Sequence, residues 1–256
     1  MENEYFGLSY NDYNDLLACN FNNVKTFDKD MLLNEIDEYK KAMSNGWKNY
    51  DSVSSLSGWS VGKYVYPDIQ QHHKKIVHKT KELNVKSICE AGAGAGVVAK
   101  HVYTYNDYNI DLTCVEGSDI HIGQMKENFS KESNIVLPQI DVKANIVKGV
   151  IQDIPLDDNL FDLVYTCTVM MHIPYLMIPK SMSELVRISK KYIMHVENKN
   201  NMINAVCMGN QKSDSNRLMI DYKKMYDKLG VKCLEYYEYK DEHANCEYLY
   251  FLGEKI

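Results

Sequence analysis

Between residues 85 and 105 the chain reads VKSICEAGAGAGVVAKHVYTY. A short apolar run passes through three alternating glycines into a stretch with helical periodicity, which dictates a strand, a tight turn and a helix in immediate succession. The next apolar run, IDLTCVEG at 110–117, returns the chain as a second strand. Such a βαβ unit requires a parallel strand pair with a crossover helix. Further apolar runs follow at 145–153 (NIVKGVIQD), 161–167 (FDLVYTC) and 191–197 (KYIMHVE), with a helix at about 175–190 carrying Leu185, Val186 and Ile188. These runs are apolar throughout instead of alternating, as expected for parallel strands covered on both faces.

The last quarter changes character. A helix around RLMIDYKKMYDKLG ends at Gly230, and two strand-like segments, VKCLEYYEYK and CEYLYFLGE, are joined by a polar turn at 241–245. The reading is an α/β, Rossmann-like three-layer sandwich with a mostly parallel seven-stranded sheet and a C-terminal antiparallel hairpin. Residues 71–256 form this domain. Residues 1–70 read as an N-terminal helical cap that is not an independent domain: KDMLLNEIDEYKKAMSNGW places Met31, Leu32, Glu35, Ile36 and Tyr39 at helical spacing. A polar, aromatic loop containing Trp47, Trp59, Tyr64 and Tyr66 follows, and Pro67 opens the helix through IQQHHKKIVHKTKEL.

Composition narrows the function. A net charge of -6 and only two arginines, Arg187 and Arg217, leave no footprint for tracking a phosphate backbone and few bidentate anion clamps. The lysine bias is read as AT-rich, bacterial coding. The seven cysteines lack a C-x-x-C pair, which argues for a reduced cytoplasmic compartment and against a disulfide framework or zinc site. Cys89, Cys114 and Cys167 fall in strand-like runs, where a thiol packs as a small hydrophobe. The N-terminus MENEYFGLSYND has neither a basic nor an apolar leader region, and no membrane-spanning run is present. The sequon at Asn128 then carries no meaning.

Glycines after a parallel strand let the backbone turn and let a ligand lie against it, while the following helix N-terminus offers N–H groups to an anion. The dinucleotide fingerprint G-x-G-x-x-G would put its third glycine at Val97; the chain has G-x-G-x-G at Gly92, Gly94 and Gly96, led by Glu90 and Ala91. Taken alone, these glycines could mark close helix–strand packing. Glu116, at the end of the second strand, could be a solvated strand end, and Asp153 could cap the turn before Pro155.

In that order, however, Glu90 to Gly96, Glu116 in TCVEGSD, Asp153 in GVIQDIPLDDNLFDLVYT and the segment FDLVYTCTVMMHIP resemble the class I S-adenosylmethionine (SAM) dependent methyltransferases, over about residues 85–200. The resemblance implies SAM as cofactor. Glu90, Ala91, Gly92, Gly94 and Gly96 would form the first motif, and Glu116, with Gly117 and Ser118, would hold the ribose hydroxyls. Asp153 would take the adenine amino group with Ile154 on the ring, and Thr168 would follow the fourth strand. The cap matches no family.

A sulfonium methyl is already activated, so an enzyme of this type mainly aligns the nucleophile and excludes water, worth about 7 to 11 kcal/mol. His172 is the candidate general base, or else it packs its loop. His195 is a second candidate, with a core hydrogen-bonded role as its alternative. Trp59, Tyr64, Tyr66 and His73 are candidate acceptor contacts, although aromatic rings there can equally fix the cap to the domain. Thr166-Cys167-Thr168 departs from the N/D-P-P-Y/F signature of base-amino methylation. The expectation is therefore methyl transfer to a small polar acceptor, through oxygen on a nucleotide-linked or cell-surface sugar. N-methylation of a small amine or a non-catalytic SAM-binding sensor are the alternatives. No nucleic acid, membrane or metal partner is expected, and the cap is either a lid or the arm of a homodimer.

Overall fold

The computed structural model describes residues 69–132, 139–174, 177–198, 221–241 and 246–256. The cap, including Trp59, Tyr64, Tyr66 and Pro67, lies outside the described residues, apart from Ile69 and Gln70. Among those described, the elements run α1 (Gln71–Glu82), β1 (Ser87–Ala91), α2 (Val97–Tyr105), β2 (Asp111–Glu116), α3 (Asp119–Asn128) and β3 (Ala144–Lys148). They continue β4 (Phe161–Cys167), a 3₁₀ turn (Met170–His172), α4 (Ile178–Ile188), β5 (Ser189–Asn198), α5 (Tyr222–Lys228), β6 (Val231–Asp241) and β7 (Cys246–Lys255).

The seven strands form one sheet in the order β3-β2-β1-β4-β5-β7-β6. β1 pairs in parallel with β2 and β4, β2 with β3, and β4 with β5. β7 alone runs against its neighbours, pairing antiparallel with β5 and β6. The expected terminal hairpin is thus present, and its second strand is the one inserted beside β5. Chain order reverses between β1 and β4, the switch point at which open α/β sheets bind ligands.

Apolar strands demand cover on both faces, and the molecule supplies it with two separate cores. On one face α4 and α5 bury Met182, Leu185, Ile188, Met225 and Tyr226 against Val164, Ile193 and Phe251. On the other, α1, α2 and α3 bury Ile76, Val77, Val98, Val102 and Met125 against Ile88, Leu163 and Met194. Cys89, Cys114 and Cys167 are buried free thiols in β1, β2 and β4.

Element bounds shift slightly from the sequence reading. The helix after Pro67 starts at Gln71, with extended backbone at Gln70. The third strand stops at Lys148, because Gly149 and Val150 begin a turn closed by the Val150–Asp153 bridge. At the opposite edge Asp162 Oδ2 accepts from the N–H groups of Lys86 and Ser87, both 3.0 Å, and fixes β1 against β4.

Candidate active site at the carboxyl edge of the sheet

The β1–α2 turn carries the glycines. Gly92 N–H and Ala93 N–H both donate to Val115 O, at 2.8 and 3.0 Å, which folds the turn over β2. Gly94 sits at φ +54, and a Cβ placed there would meet no atom within 4 Å, so the loop faces open space at this point. Gly92, at φ +75, is constrained differently: a Cβ would come within 2.6 Å of the Val169 side chain, in the segment between β4 and the 3₁₀ turn. Glycine is needed there for close approach as much as for conformation.

Glu116 closes the other side of this opening. Its Oε2 accepts from Gly94 N–H at 2.7 Å and its Oε1 from Ser118 N–H at 2.8 Å, with His121 Nδ1 3.6 Å away. Burial would raise its pKa, but the His121 hydrogen bond and charge, with the two backbone donors, prevail and hold the carboxyl below its ordinary value. An ionised acceptor therefore faces the glycine loop, with lone pairs still to offer. Ser118 also caps α3, its side chain accepting from His121 N–H at 3.3 Å. Gly117 lies beside Val150.

Glu90 is wholly enclosed and takes a hydrogen bond from Tyr165 Oη at 2.9 Å. Burial is the dominant influence and pushes its pKa up to about 8, against the lowering effect of Tyr165 and the Ala99 backbone. Ala91 is buried at the end of β1.

Asp153 is exposed in the turn after β3, whereas Ile154 is buried in the core beneath it, its N–H donating to Glu184 Oε2 at 3.0 Å. Arg187 pins the same segment, donating to Ile154 O at 2.8 Å and Leu156 O at 2.7 Å. Sequence reasoning passed over this clamp. A rare arginine in a lysine-rich chain, three residues after a glutamate on one helix, was the available signal.

The fourth strand ends in unusual backbone. Thr168 adopts φ +56, its N–H donating to Val196 O and its hydroxyl to Cys167 O. Left-handed, non-glycine residues of this kind collect at functional sites. His172, in the 3₁₀ turn that follows, is half-buried; burial and then the neighbouring His121 push its pKa down to about 4. His121 thus stands between Glu116 and His172, a residue that its own sequence context did not mark.

His195 occupies a different environment. It is fully buried in β5, its Nδ1 2.6 Å from Thr166 Oγ1 and its Nε2 2.5 Å from Tyr226 Oη. Thr166 Oγ1 donates to Glu197 Oε1 at 2.6 Å, and Glu197 Oε2 accepts from Met170 N–H at 3.1 Å. The network therefore ties β4 and β5 to the turn bearing His172. His73 is likewise inside the molecule, with its Nδ1 3.2 Å from His101 Nδ1.

Residues 89–192 match the family model described as a methyltransferase domain. That span holds the glycine loop, Glu116, Asp153, Thr168 and His172. No curated protein matches the chain. Solved structures share its fold at low identity. A magnesium protoporphyrin IX methyltransferase of Synechocystis, with bound SAM, is 11% identical at TM-score 0.57, covering 82% of this chain and 97% of its own. A Galdieria sulphuraria protein assigned by name as a sarcosine dimethylglycine methyltransferase is 13% identical at TM-score 0.54, covering 72% and 84%. A SAM-dependent methyltransferase of Methanosarcina mazei is 11% identical at 0.52, covering 71% and 97%.

Proposed function

We propose that this chain, in which residues 89–192 form a class I SAM-dependent methyltransferase domain, transfers a methyl group to the hydroxyl of a small polar acceptor. The observation that carries the reading is the pairing of an open glycine loop with an ionised acid: space above Gly94, and Glu116 held toward it by two backbone N–H groups. That arrangement fits a polar nucleoside ligand.

Glu90, Ala91, Gly92, Gly94 and Gly96 would line one side of the cofactor, and Glu116, Gly117 and Ser118 would meet its ribose. Asp153, with Ile154 setting the loop, would meet its base, and Thr168 would complete the floor. SAM supplies an activated methyl when bound. The chain's own work is alignment, exclusion of water and removal of a proton. His172 is assigned the last task from its place in the turn after β4: its imidazole is unprotonated at neutral pH, burial and then His121 pushing its pKa down to about 4, and the bound acceptor must raise its basicity toward the working pH. His195 supports it as a positioning residue through Thr166, Glu197 and Met170.

A net charge of -6 and the Thr166-Cys167-Thr168 segment favour a small acceptor over nucleic acid, and a sugar hydroxyl is the acceptor class we favour. Trp59, Tyr64 and Tyr66 would contact it. The described residues include no helix long and apolar enough to cross a membrane; a cytoplasmic site of action and a homodimer belong to the proposal.

Calorimetric titration with S-adenosylhomocysteine, on the wild type and on Gly94→Val, tests the cofactor site. Micromolar binding lost in the variant supports it; absence of binding by folded wild type refutes it. Radiolabelled methyl transfer to nucleotide-linked sugars and to small amines then separates O- from N-methylation, and transfer to neither, with binding intact, leaves a sensor.

A further inference from the structure

On the α1 side of the sheet three ligand-type side chains converge in the core. His72 and His73 at the start of α1 and Cys167 at the end of β4 are all buried, and their donor atoms lie within 4.8 Å of one another. We propose that His72, His73 and Cys167 form a binding site for a zinc-type divalent ion, with a fourth position open to water.

The surroundings match such a site. A ligating histidine usually gives its other ring nitrogen to a second group that fixes its orientation. Here His72 Nδ1 faces Asp241 Oδ2 at 3.3 Å and His73 Nδ1 faces His101 Nδ1 at 3.2 Å, so each ring has Nε2 to give. His72 is further held by stacking on Tyr248, ring centroids 4.7 Å apart. Without an ion the arrangement is poor core chemistry. Among the described residues, the polar partner of the buried His73 ring is another imidazole, and the buried Tyr239 hydroxyl has no hydrogen-bond partner. Tyr239 stacks on Tyr248, the ring against which His72 is held.

Two imidazoles and a sulfur select zinc or cobalt over magnesium or calcium. On binding, the Cys167 thiol releases its proton to solvent and a sulfur lone pair forms the bond to the metal, with both imidazoles neutral. Because Cys167 directly precedes Thr168, an ion here would brace the end of β4 at the base of the proposed cleft.

The test uses the full chain without an affinity tag, stripped by chelator and titrated with Co²⁺. The expected result is one equivalent bound with a thiolate-to-cobalt charge-transfer band, displaced by Zn²⁺. The band should vanish in Cys167→Ser, and Asp241→Asn should weaken affinity by about 10- to 100-fold. X-ray absorption of the zinc-loaded wild type, which needs no variant, should show one sulfur among nitrogen and oxygen neighbours. A wild type without the band, a band surviving in folded Cys167→Ser, or a shell with no sulfur or several would each overturn the assignment.

Discussion

Glu90→Gln should stabilise the ligand-free protein in a pH-dependent way. Glu90 is fully buried, and its carboxyl is pushed from an ordinary 4.5 up to about 8, chiefly by burial. A carboxyl raised in the folded state takes up a proton on folding between those two values. Its contribution is therefore fully present below pH 4.5 and is lost as pH rises toward about 8. At about 1.36 kcal/mol per pH unit, full expression amounts to about 5 kcal/mol. Relaxation and water entry on ionisation should reduce this to roughly 3 kcal/mol. Glutamine keeps an acceptor for Tyr165 Oη, which bonds Glu90 at 2.9 Å, and cannot ionise. Urea unfolding of cofactor-stripped wild type and variant, measured from pH 5 to 9, should give similar stabilities at pH 5. The variant's advantage should grow to about 3 kcal/mol by pH 8.5. The buried histidines, whose pKa values are lowered, make both proteins less stable in acid, but that trend cancels in the difference. A difference independent of pH would refute the reasoning, since it would mean that Glu90 is solvated or permanently ion-paired.

Gly92→Ala should destabilise by about 3 kcal/mol, combining left-handed strain with overpacking against Val169. Gly94→Ala should cost only about 1 kcal/mol while weakening S-adenosylhomocysteine binding, because its Cβ enters open space; thermal unfolding and calorimetry separate the two. Thr166→Val should cost about 1.5 to 3 kcal/mol in urea unfolding, since Glu197 and His195 both lose a buried partner. If His172 is the base, His172→Asn should lower kcat by about 10² or more with S-adenosylhomocysteine affinity unchanged. The wild-type rate should then be flat from pH 6 to 8 and fall toward pH 4.

The sheet was legible in the chain because parallel strands must be apolar on both faces, and the glycine turn was legible because few residues tolerate its backbone. Gly92, Gly94, Gly96 and Glu116 were marked by the family resemblance that their order carries; in the structure Gly94 and Glu116 meet at one opening, while Gly92 packs on Val169 and Gly96 on Met125 and Phe129. What remained illegible depends on where side chains from distant elements meet. Nothing local in HHKK says that His72 and His73 turn inward to Cys167, nearly a hundred residues away. Likewise His195 resembled His172 in sequence, each at a strand's carboxyl end. Only tertiary packing enclosed the first between Thr166 and Tyr226 and left the second half-buried in its 3₁₀ turn. Periodicity and backbone constraints are properties of a segment, and so a sequence determines them. The solvation and partners of a titratable group belong to the folded interior, and the fold decides those.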